Sequence, residues 1–522
     1  MSLFNVEAVR SRLTSGQIGR DVIYKQVTTT TMDDAEKGAR KGKGHGVAYV
    51  ADTMTNARGS KGRSWHAESG GNIYVSFIIH RDAQQGVNIP ERHLENDIEI
   101  AASLAALHVL QERGVSNVKV KWLNDLWVRG HKLLGALAEF KGNLEVEGVR
   151  KHLYILGLGL NLNSNMRHQS GLQGLATSVW CETGHRMLRE DVFIEVCRQL
   201  EVNLAKPREE LLTLYQQNSV LCEGTEVKVY FTDQSKPTQV CTYLGVDKNW
   251  AVRLKSKMEE EVTLPITEVS IRPCPQRAIY VLKGESLEDW SYLLLMTMFN
   301  TLVDTVKYNV RILDIQSLIE NGLPEDCALL VIGQLQAPID YSLFERVRGH
   351  VEEGISCWLI GSACSLCTQP GSDGHVSSVP SIQCFTVLDH PLSAHFTSNK
   401  KISKVNLLIT DRFPILQDFL DDKQHSVIIR SSVEKIDFDC TKNIDLPLRD
   451  DEDQSKGDTF VAMATFNIGR GIVCLCVPHI EVAYPDVGQH FPSLEGAHTL
   501  IEDTVYQRDS LIIHALEHLG IQ

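Results

Sequence analysis

The sequence predicts a multidomain protein of combined α/β and α+β class, and three observations support that prediction. The chain has 522 residues, which suits two or three domains rather than one. Residues 20–215 alternate strands with helices, and short strands crowd residues 219–274. From residue 277 a strand, a helix and a strand follow in order, which is typical of an α/β domain with parallel strands. We therefore expect domains at 1–216, 217–275 and 277–522.

Strands and one helix of the first region follow from its apolar pattern. Alternating apolar residues predict strands at 72–79 and 118–122, and a buried apolar run predicts another at 153–163. The alanine-rich stretch between the first two predicts a helix. Asn96 would cap it, Glu99 would complete a capping box, and Gly114 would end it.

The later regions are predicted from turn spacing and strand–helix order. Four short strands at 225–231, 240–244, 251–254 and 261–264 predict a small β-barrel. Pro273 and Pro275 then mark a domain boundary. In the third region we expect a strand at 278–282, a helix at 293–306 and a strand at 328–332.

Composition narrows the functional classes. A hydrophobic fraction of 43% is that of a globular protein. The formal net charge of -14 argues against a nucleic-acid binder, which needs clustered Lys and Arg. No apolar run is long enough for a membrane span or a signal peptide. Thirteen cysteines, an odd number without a secretory signal, favour reduced thiols and a cytoplasmic protein, with a mitochondrial location as the alternative.

Three segments contain more polar chemistry than core packing requires. In residues 55–65, small residues alternate with cations, so the loop could approach an anion closely; an exposed basic turn is the alternative. Lys121 ends a buried strand and Lys132 opens the next, where a simple hairpin with solvated lysines is the alternative. Gly157 and Gly159 lie in an apolar strand, where they indicate close approach of a ligand or tight strand packing.

In this order and spacing, the segments resemble the biotin–protein ligase family, which includes the animal holocarboxylase synthetases. That family has a Gly/Arg-rich loop ending in Trp, then Lys-Trp-Pro-Asn-Asp, then a Lys followed by Gly, then Gly-x-Gly-x-Asn. Residues 27–32 also resemble its first biotin-contacting turn, and the resemblance extends over about residues 20–275. It implies a mixed-sheet catalytic domain of biotin/lipoyl-ligase type, followed by a small SH3-like β-barrel.

The third region resembles the glutamine-amidotransferase-like segment of eukaryotic biotin ligases, which implies a flavodoxin-like, class I amidotransferase-like α/β domain. In the animal enzymes that segment precedes the catalytic part, whereas here it follows. An active amidotransferase would hold a Cys at a strand-to-helix elbow, but Ala363 occupies that position and Cys364 lies one place beyond it. We therefore expect a non-catalytic role for this region.

The resemblance implies that ATP activates biotin to biotinyl-AMP, with Mg²⁺, before transfer to a lysine on a carboxyl carrier domain of a biotin-dependent carboxylase. Neither a nucleic acid nor a membrane is an expected partner. Motif by motif, Arg58, supported by Lys61 and Arg63, would hold the phosphate, and Lys132 would contact the biotin carboxylate and the α-phosphate. Asp125 would orient or deprotonate the acceptor lysine. The remaining ligand-binding residues are expected to be Thr30 and Thr31 at the biotin ring, Trp65 and Asn161 near the nucleotide, Gly135 at a close backbone approach, and Thr55, Gly59, Lys121, Asn124, Gly157 and Gly159.

Departures from the family pattern predict a looser hold on the adenylate. Met54 replaces a common Gln, Leu123 replaces Pro, and Ala57 and Ser60 replace a Gly and a cation of the loop. Release of the intermediate without acceptor would measure this hold. A catalytically degenerate biotin-binding protein and a lipoate-type protein ligase are the two alternatives to a biotin ligase.

Overall fold

The protein is described by a computed structural model in two compact units, Met1–Cys274 and Pro275–Gln522. The described residues are 3–59, 65, 71–82, 91–166, 171–172, 174–336, 341–367, 376–387, 404–412, 425–435, 461–468, 470–476 and 505–521. None of the helices among them combines the length and the apolar character needed to cross a membrane.

The first unit is built on a seven-stranded mixed sheet in the order β1-β2-β3-β7-β6-β5-β4. Its strands are β1 (Val22–Thr28), β2 (Ala48–Met54), β3 (Ile73–Asp82), β4 (Val118–Lys121), β5 (Asp125–Val128), β6 (His131–Val146) and β7 (Val149–Leu160). Strands β1 and β2 are parallel, and the other neighbours are antiparallel. The predicted alternation in β3 is confirmed, since its four residues Ile73, Val75, Phe77 and Ile79 enter one core, while Ile78 enters a second core on the other face.

Helices cover this sheet. They are α1 (Val6–Arg12), α2 (Thr31–Arg40), α3 (Glu91–Glu112), α4 (Val179–Thr183), α5 (Arg189–Leu204) and α6 (Arg208–Gln217). Four alanines of α3 are fully buried, which lets its backbone approach the neighbouring elements closely: Ala101, Ala102, Ala105 and Ala106.

The predicted start of α3 is wrong. The helix begins at Glu91, so Asn96 and Glu99 lie inside it rather than at a cap. Glu99 points into the protein, where its carboxyl accepts hydrogen bonds from Asn124 Nδ2 at 2.8 Å and from the backbone N–H of Ala138 at 2.9 Å. A sequence pattern of a capping box cannot distinguish these two uses of a glutamate, because tertiary partners decide between them.

The carboxyl of Glu99 should make stability depend on pH. Burial raises its pKa from an ordinary 4.5 to about 8, so the folded chain holds a proton that the unfolded chain releases. The stabilisation is therefore complete below about pH 4.5 and is lost as the pH rises through about 8. Between pH 5 and pH 8, the free energy of unfolding of the wild type should fall relative to that of Glu99→Gln by on the order of a few kcal/mol. The melting temperatures of the two proteins, measured across that pH range, test this. A difference in melting temperature between the two proteins that does not change with pH would contradict this.

A second, smaller sheet completes the first unit. Its antiparallel strands, in the order β11-β10-β9-β8-β12, are β8 (Glu226–Phe231), β9 (Gln239–Val246), β10 (Val252–Lys255), β11 (Glu261–Leu264) and β12 (Val269–Pro273). The four predicted strands are present, and β12 was missed. The SH3-like barrel stays a prediction.

Two tryptophans join the smaller sheet to the larger one. The indole N–H of Trp122 donates to the backbone carbonyl of Trp250 at 3.0 Å, and the indole N–H of Trp250 donates to Asp97 Oδ1 at 2.6 Å. Asp97 also accepts hydrogen bonds from Arg208. Trp250 is fully buried, so these bonds satisfy polar groups that would otherwise be costly there.

The second unit contains a nine-stranded sheet in the order β14-β13-β15-β16-β21-β20-β19-β17-β18. The strands are β13 (Arg277–Lys283), β14 (Tyr308–Asp314), β15 (Cys327–Ile332), β16 (Ser356–Ile360), β17 (Val376–Val387), β18 (Lys404–Arg412), β19 (His425–Lys435), β20 (Val461–Ile468) and β21 (Gly471–Cys476). The helices are α7 (Asp289–Leu302), α8 (Ile315–Asn321), α9 (Tyr341–Glu352) and α10 (Val505–His518). The predicted strand, helix and strand are present as β13, α7 and β15, and β13 pairs in parallel with β15 as expected. The prediction missed β14 and α8, which lie between α7 and β15 in the chain. The amidotransferase-like assignment stays a prediction.

Candidate active site

A pocket opens over the middle of the larger sheet, where α2 and the end of β2 meet β3, β6 and β7. The space between its walls, which includes open solvent, is about 510 Å³. Ten residues predicted from the sequence line it: Thr30, Thr31, Arg58, Gly59, Trp65, Asp125, Lys132, Gly135, Gly157 and Gly159.

Lys132 and Asp125 form the charged end of this pocket. They lie on the antiparallel strands β6 and β5, and the ammonium Nζ is 2.7 Å from the carboxylate Oδ1. The same ammonium lies 5.0 Å from the ring centroid of Trp65, within cation–π range. A fixed cation here could bind an anion, with Asp125 and Trp65 determining where it points.

The glycines of β6 and β7 make room for Trp65. Gly135 and Gly159 are cross-strand partners. A Cβ atom on Gly159 would lie 2.8–3.0 Å from three atoms of the indole, and one on Gly135 would lie 2.9 Å from it. Contacts that short do not occur, so the indole can lie on this part of the sheet only because both residues lack a side chain. The Trp65 Nε1 is buried and has no hydrogen-bond partner among the described residues.

The opposite end of the pocket is formed by the first turn of α2. Thr30 caps the helix, its Oγ1 accepting from the backbone N–H of Met32 at 3.3 Å. Thr31 Oγ1 and Ser76 Oγ share a hydrogen bond of 2.8 Å. Thr31 Oγ1 also lies 3.6 Å from the sulfur of Met54. The two predicted threonines are therefore at the site, together with two methionines.

Arg58 lies at the rim and is paired with acids. Its Nη2 is 2.8 Å from Asp33 Oδ1 and 3.8 Å from Glu139 Oε2. Glu139 in turn contacts Lys141 Nζ at 2.7 Å, and Lys141 also contacts Glu36 at 2.9 Å. Any anion that bound Arg58 would therefore compete with these carboxylates.

Four predicted residues lie outside the pocket lining. Thr55 is exposed on the loop after β2, and Lys121 is buried with its ammonium 5.7 Å from the ring centroid of Trp127. Asn124 donates to Glu99 and to the carbonyl of Ala136, and Asn161 donates to the carbonyl of Thr177 at 3.1 Å. In this structure the two asparagines support the strands and loops around the site. The predicted Lys61 and Arg63 lie outside the described residues.

Several residues that line the pocket were not predicted from the sequence. They are Met32, Met54, Val75, Ser76, Ala136, Leu137 and Leu158. Ser76 carried a usable signal, because a hydroxyl in an otherwise apolar strand that is buried on both faces needs a buried partner. The apolar residues carried none, since their pattern is the same as that of ordinary core.

The second unit places the predicted elbow at the end of β16. A 3₁₀ turn follows at Gly361–Cys367, in which Gly361 has a φ of 60°. Ala363 and Cys364 are both fully buried, and the Cys364 thiol donates to the carbonyl of Leu359 at 3.5 Å. Burial of this kind keeps the Cys364 thiol from solvent and substrates. The non-catalytic role of this region stays a prediction.

Comparison with known proteins agrees with the location of the pocket. Residues 24–161 match the model of the family described as "Biotin/lipoate A/B protein ligase family", and every residue that lines the pocket lies in that segment. The Bacillus subtilis "Bifunctional ligase/repressor BirA" is 28% identical over 35% of this chain and 54% of its own length. The Mycobacterium tuberculosis "Biotin--[acetyl-CoA-carboxylase] ligase" is 30% identical over 27% of this chain and 48% of its own length.

The chain spans about half the length of the curated relatives that it matches. Among solved structures, the biotin protein ligase from Aquifex aeolicus in complex with biotin and ATP is 21% identical, with a TM-score of 0.39, covering 49% of this chain and 100% of that one. Residues 24–161, which contain every residue that lines the pocket, are the part of the chain that is similar to the biotin/lipoate A/B protein ligase family.

Proposed function

We propose that this chain is a biotin–protein ligase, which uses ATP to convert biotin to biotinyl-AMP and then transfers biotin to a lysine of an acceptor protein. One observation carries the proposal: a single pocket holds Lys132, fixed by Asp125, at one end and two buried threonine hydroxyls at the other. The names of the matched relatives support it, since they are ligases that act with biotin.

The first step sets an electrostatic problem that the pocket is suited to solve. The biotin carboxylate must attack the α-phosphorus of ATP, forming an acyl–phosphate bond while the bond to pyrophosphate breaks. An anion thus approaches a polyanion, and a fixed cation lowers the barrier by neutralising both. Lys132 would contact the carboxylate and the α-phosphate, and Arg58 would hold the phosphate at the rim. No protein nucleophile is needed.

In the second step an acceptor lysine attacks the carbonyl of the mixed anhydride, and AMP leaves. The amine must lose a proton on the way. Asp125 lines the pocket beside Lys132 and would orient the incoming amine or accept that proton. The acceptors that we propose are the biotin carboxyl carrier domains of biotin-dependent carboxylases.

Magnesium would accompany ATP rather than occupy a site built by the chain. Among the described residues, no group of three or more His, Cys, Asp or Glu could hold a metal ion. Mg²⁺ commonly binds through substrate phosphates and one or two carboxylates, so phosphate oxygens would supply most of its ligands. When bound, it would neutralise phosphate charge.

Biotin-dependent exchange between ATP and pyrophosphate by the full-length protein tests the activation step. We expect exchange that requires biotin, and biotin incorporation when a carrier domain is added. Folded protein that binds biotin without exchange would point instead to the degenerate biotin-binding alternative.

The ion pairs of Arg58 predict a measurable competition. Asp33→Asn should free the guanidinium for phosphate and lower the KM for ATP. The pair is about one-third exposed on each side, so it is worth at most about 1 kcal/mol, or about a fivefold change. Glu7→Gln, which alters the exposed partner of Arg10, is the control and should leave KM unchanged. A raised KM for ATP in Asp33→Asn would mean that Asp33 positions Arg58 rather than competes for it.

A further inference from the structure

The residue that precedes Asp125 is held by helix α3. Glu99 and Ser103 lie four residues apart on α3 and therefore on the same face of that helix. Ser103 Oγ donates to the backbone carbonyl of Asn124 at 2.8 Å, and Asn124 Nδ2 donates to Glu99 Oε2 at 2.8 Å. The helix thus binds both the main chain and the side chain of the residue that comes immediately before Asp125.

Strand β6 contacts the same asparagine. Asn124 Nδ2 also donates to the carbonyl of Ala136 at 2.7 Å, and the backbone N–H of Ala136 donates to the Asn124 carbonyl at 3.4 Å. Glu99 joins the helix to this strand as well, since its Oε1 accepts from the backbone N–H of Ala138 at 2.9 Å. Glu99, Ser103 and Asn124 are all buried, so water does not compete for these hydrogen bonds.

These hydrogen bonds bear on where Asp125 lies. Asp125 begins β5, one peptide bond after Asn124. The carbonyl that Ser103 binds shares a peptide plane with the Asp125 nitrogen and Cα, so fixing that carbonyl fixes the direction in which β5 begins. The Asp125 carboxylate then reaches Lys132 Nζ at 2.7 Å. A shift of Asn124 would move that carboxylate relative to the ammonium.

We propose that Glu99 and Ser103 are positioning residues for Asp125, which set where its carboxylate meets the acceptor lysine in the transfer step. The inference rests on the proposed ligase function. Both side chains are buried, so they do not touch a protein acceptor and act on it only through Asn124 and Asp125. Activation should depend on them less, because it relies on the charge of Lys132.

Transfer of biotin from biotinyl-AMP to a biotin carboxyl carrier domain, catalysed by the full-length protein, tests the inference. Glu99→Gln keeps the size of the side chain, but an amide nitrogen accepts no hydrogen bond, so one of the two donors that face the carboxyl loses its partner. The kcat of transfer should fall at least about tenfold, because a small misplacement of a reacting group is costly. Ser103→Ala should lower it by about 2–10-fold, the worth of one hydrogen bond.

Two further readouts separate positioning from a merely structural role. The KM for the carrier domain should not change in either variant, because neither side chain reaches the surface that the carrier contacts. Biotin-dependent exchange between ATP and pyrophosphate should fall less than transfer does. In an Asp125→Ala background, Glu99→Gln should cause little further loss of transfer, because the carboxylate that Glu99 positions is already absent.

Glu95→Gln is the matched control. Glu95 lies on α3 as well, and it accepts a hydrogen bond from the backbone N–H of Phe140 at 2.6 Å. It therefore joins the same helix to the same strand, two residues further along β6 than Ala138. If Glu99 served only to join α3 to β6, the two substitutions would lower transfer alike. We expect Glu95→Gln to transfer biotin as the wild type does.

The outcomes distinguish failure of the inference from failure of the proposed function. Equal losses of transfer in Glu95→Gln and Glu99→Gln would overturn the inference, and so would a raised KM for the carrier with an unchanged kcat. Losses in Glu99→Gln that add fully to those of Asp125→Ala would also overturn it, as would wild-type transfer by folded Ser103→Ala. In all these cases biotin-dependent exchange by the wild type leaves the ligase standing. A wild type that neither exchanges nor transfers would overturn the proposed function, and the inference with it.

Discussion

Lys132→Ala is expected to lower the kcat/KM of biotin-dependent ATP–pyrophosphate exchange by at least about 10³-fold. Loss of one preorganised donor in such a site commonly costs about 10²–10³-fold. Here the loss is compounded, because the Asp125 carboxylate, 2.7 Å from the ammonium, would lose that cation while it lies beside two anionic substrates. Stability should change little, since the Lys132 side chain is 31% exposed and makes no part of the core.

Two further variants test whether the loss of activity in Lys132→Ala is due to the loss of a positive charge at that position. Lys132→Arg keeps a cation and should retain more activity than the alanine variant. Lys228→Ala removes an exposed lysine of the smaller sheet and should behave as wild type. Near-wild-type exchange by folded Lys132→Ala would remove the role assigned to this residue.

Gly159→Val should abolish most activity, by at least about 10²-fold, without destabilising the fold. Valine favours strands, and Gly159 has no left-handed φ, so the backbone of β7 accepts the change. The new side chain, however, takes space now filled by the indole of Trp65, whose atoms lie 2.8–3.0 Å from the position of a Cβ. Displacing that ring would move the Lys132 ammonium that contacts it. Misplacement of such a group by about 1 Å can lower the rate about 10²-fold.

The structural and functional explanations of Gly159 predict different results. A glycine needed only for packing would lower the melting temperature when replaced, whereas we expect melting unchanged and exchange lost. Gly44→Val is the control, because nothing lies within 4 Å of a Cβ there. In the Trp65→Ala background the valine should cause little further loss, because the ring that it displaces is already absent. Fully additive losses would contradict the contact between the two residues.

The sequence alone could identify residues of the site, but it could not show which of them contact each other. Motif spacing identified Gly135, Gly159 and Lys132, because glycines in buried strands and cations at strand ends are locally unusual. It could not show that Trp65 fills the space above the glycines, since that contact joins residues 94 positions apart in the case of Gly159. The same limit applies to Arg58, whose acidic partners lie on α2 and β6.

The fold shows the same division between local and distant causes. Strands with alternating or continuous apolar residues were predicted to within a few positions, because burial on a sheet imposes that pattern. The start of α3 was not, because Asn96 and Glu99 have the local chemistry of a cap but lie within the helix. Glu99 is committed to partners on other elements, Asn124 and Ala138, which no local pattern reveals.

The hydrogen bond between Trp122 and Trp250 limits where the chain can be truncated. Cutting the chain after α6 would remove Trp250, uncover Trp122 and leave Asp97 without its indole donor. The severed surface would present aromatic rings to water and invite self-association. The smaller sheet therefore covers its neighbour, and we expect a fragment of the first unit to remain monomeric only if it keeps that sheet, whose last strand is Val269–Pro273.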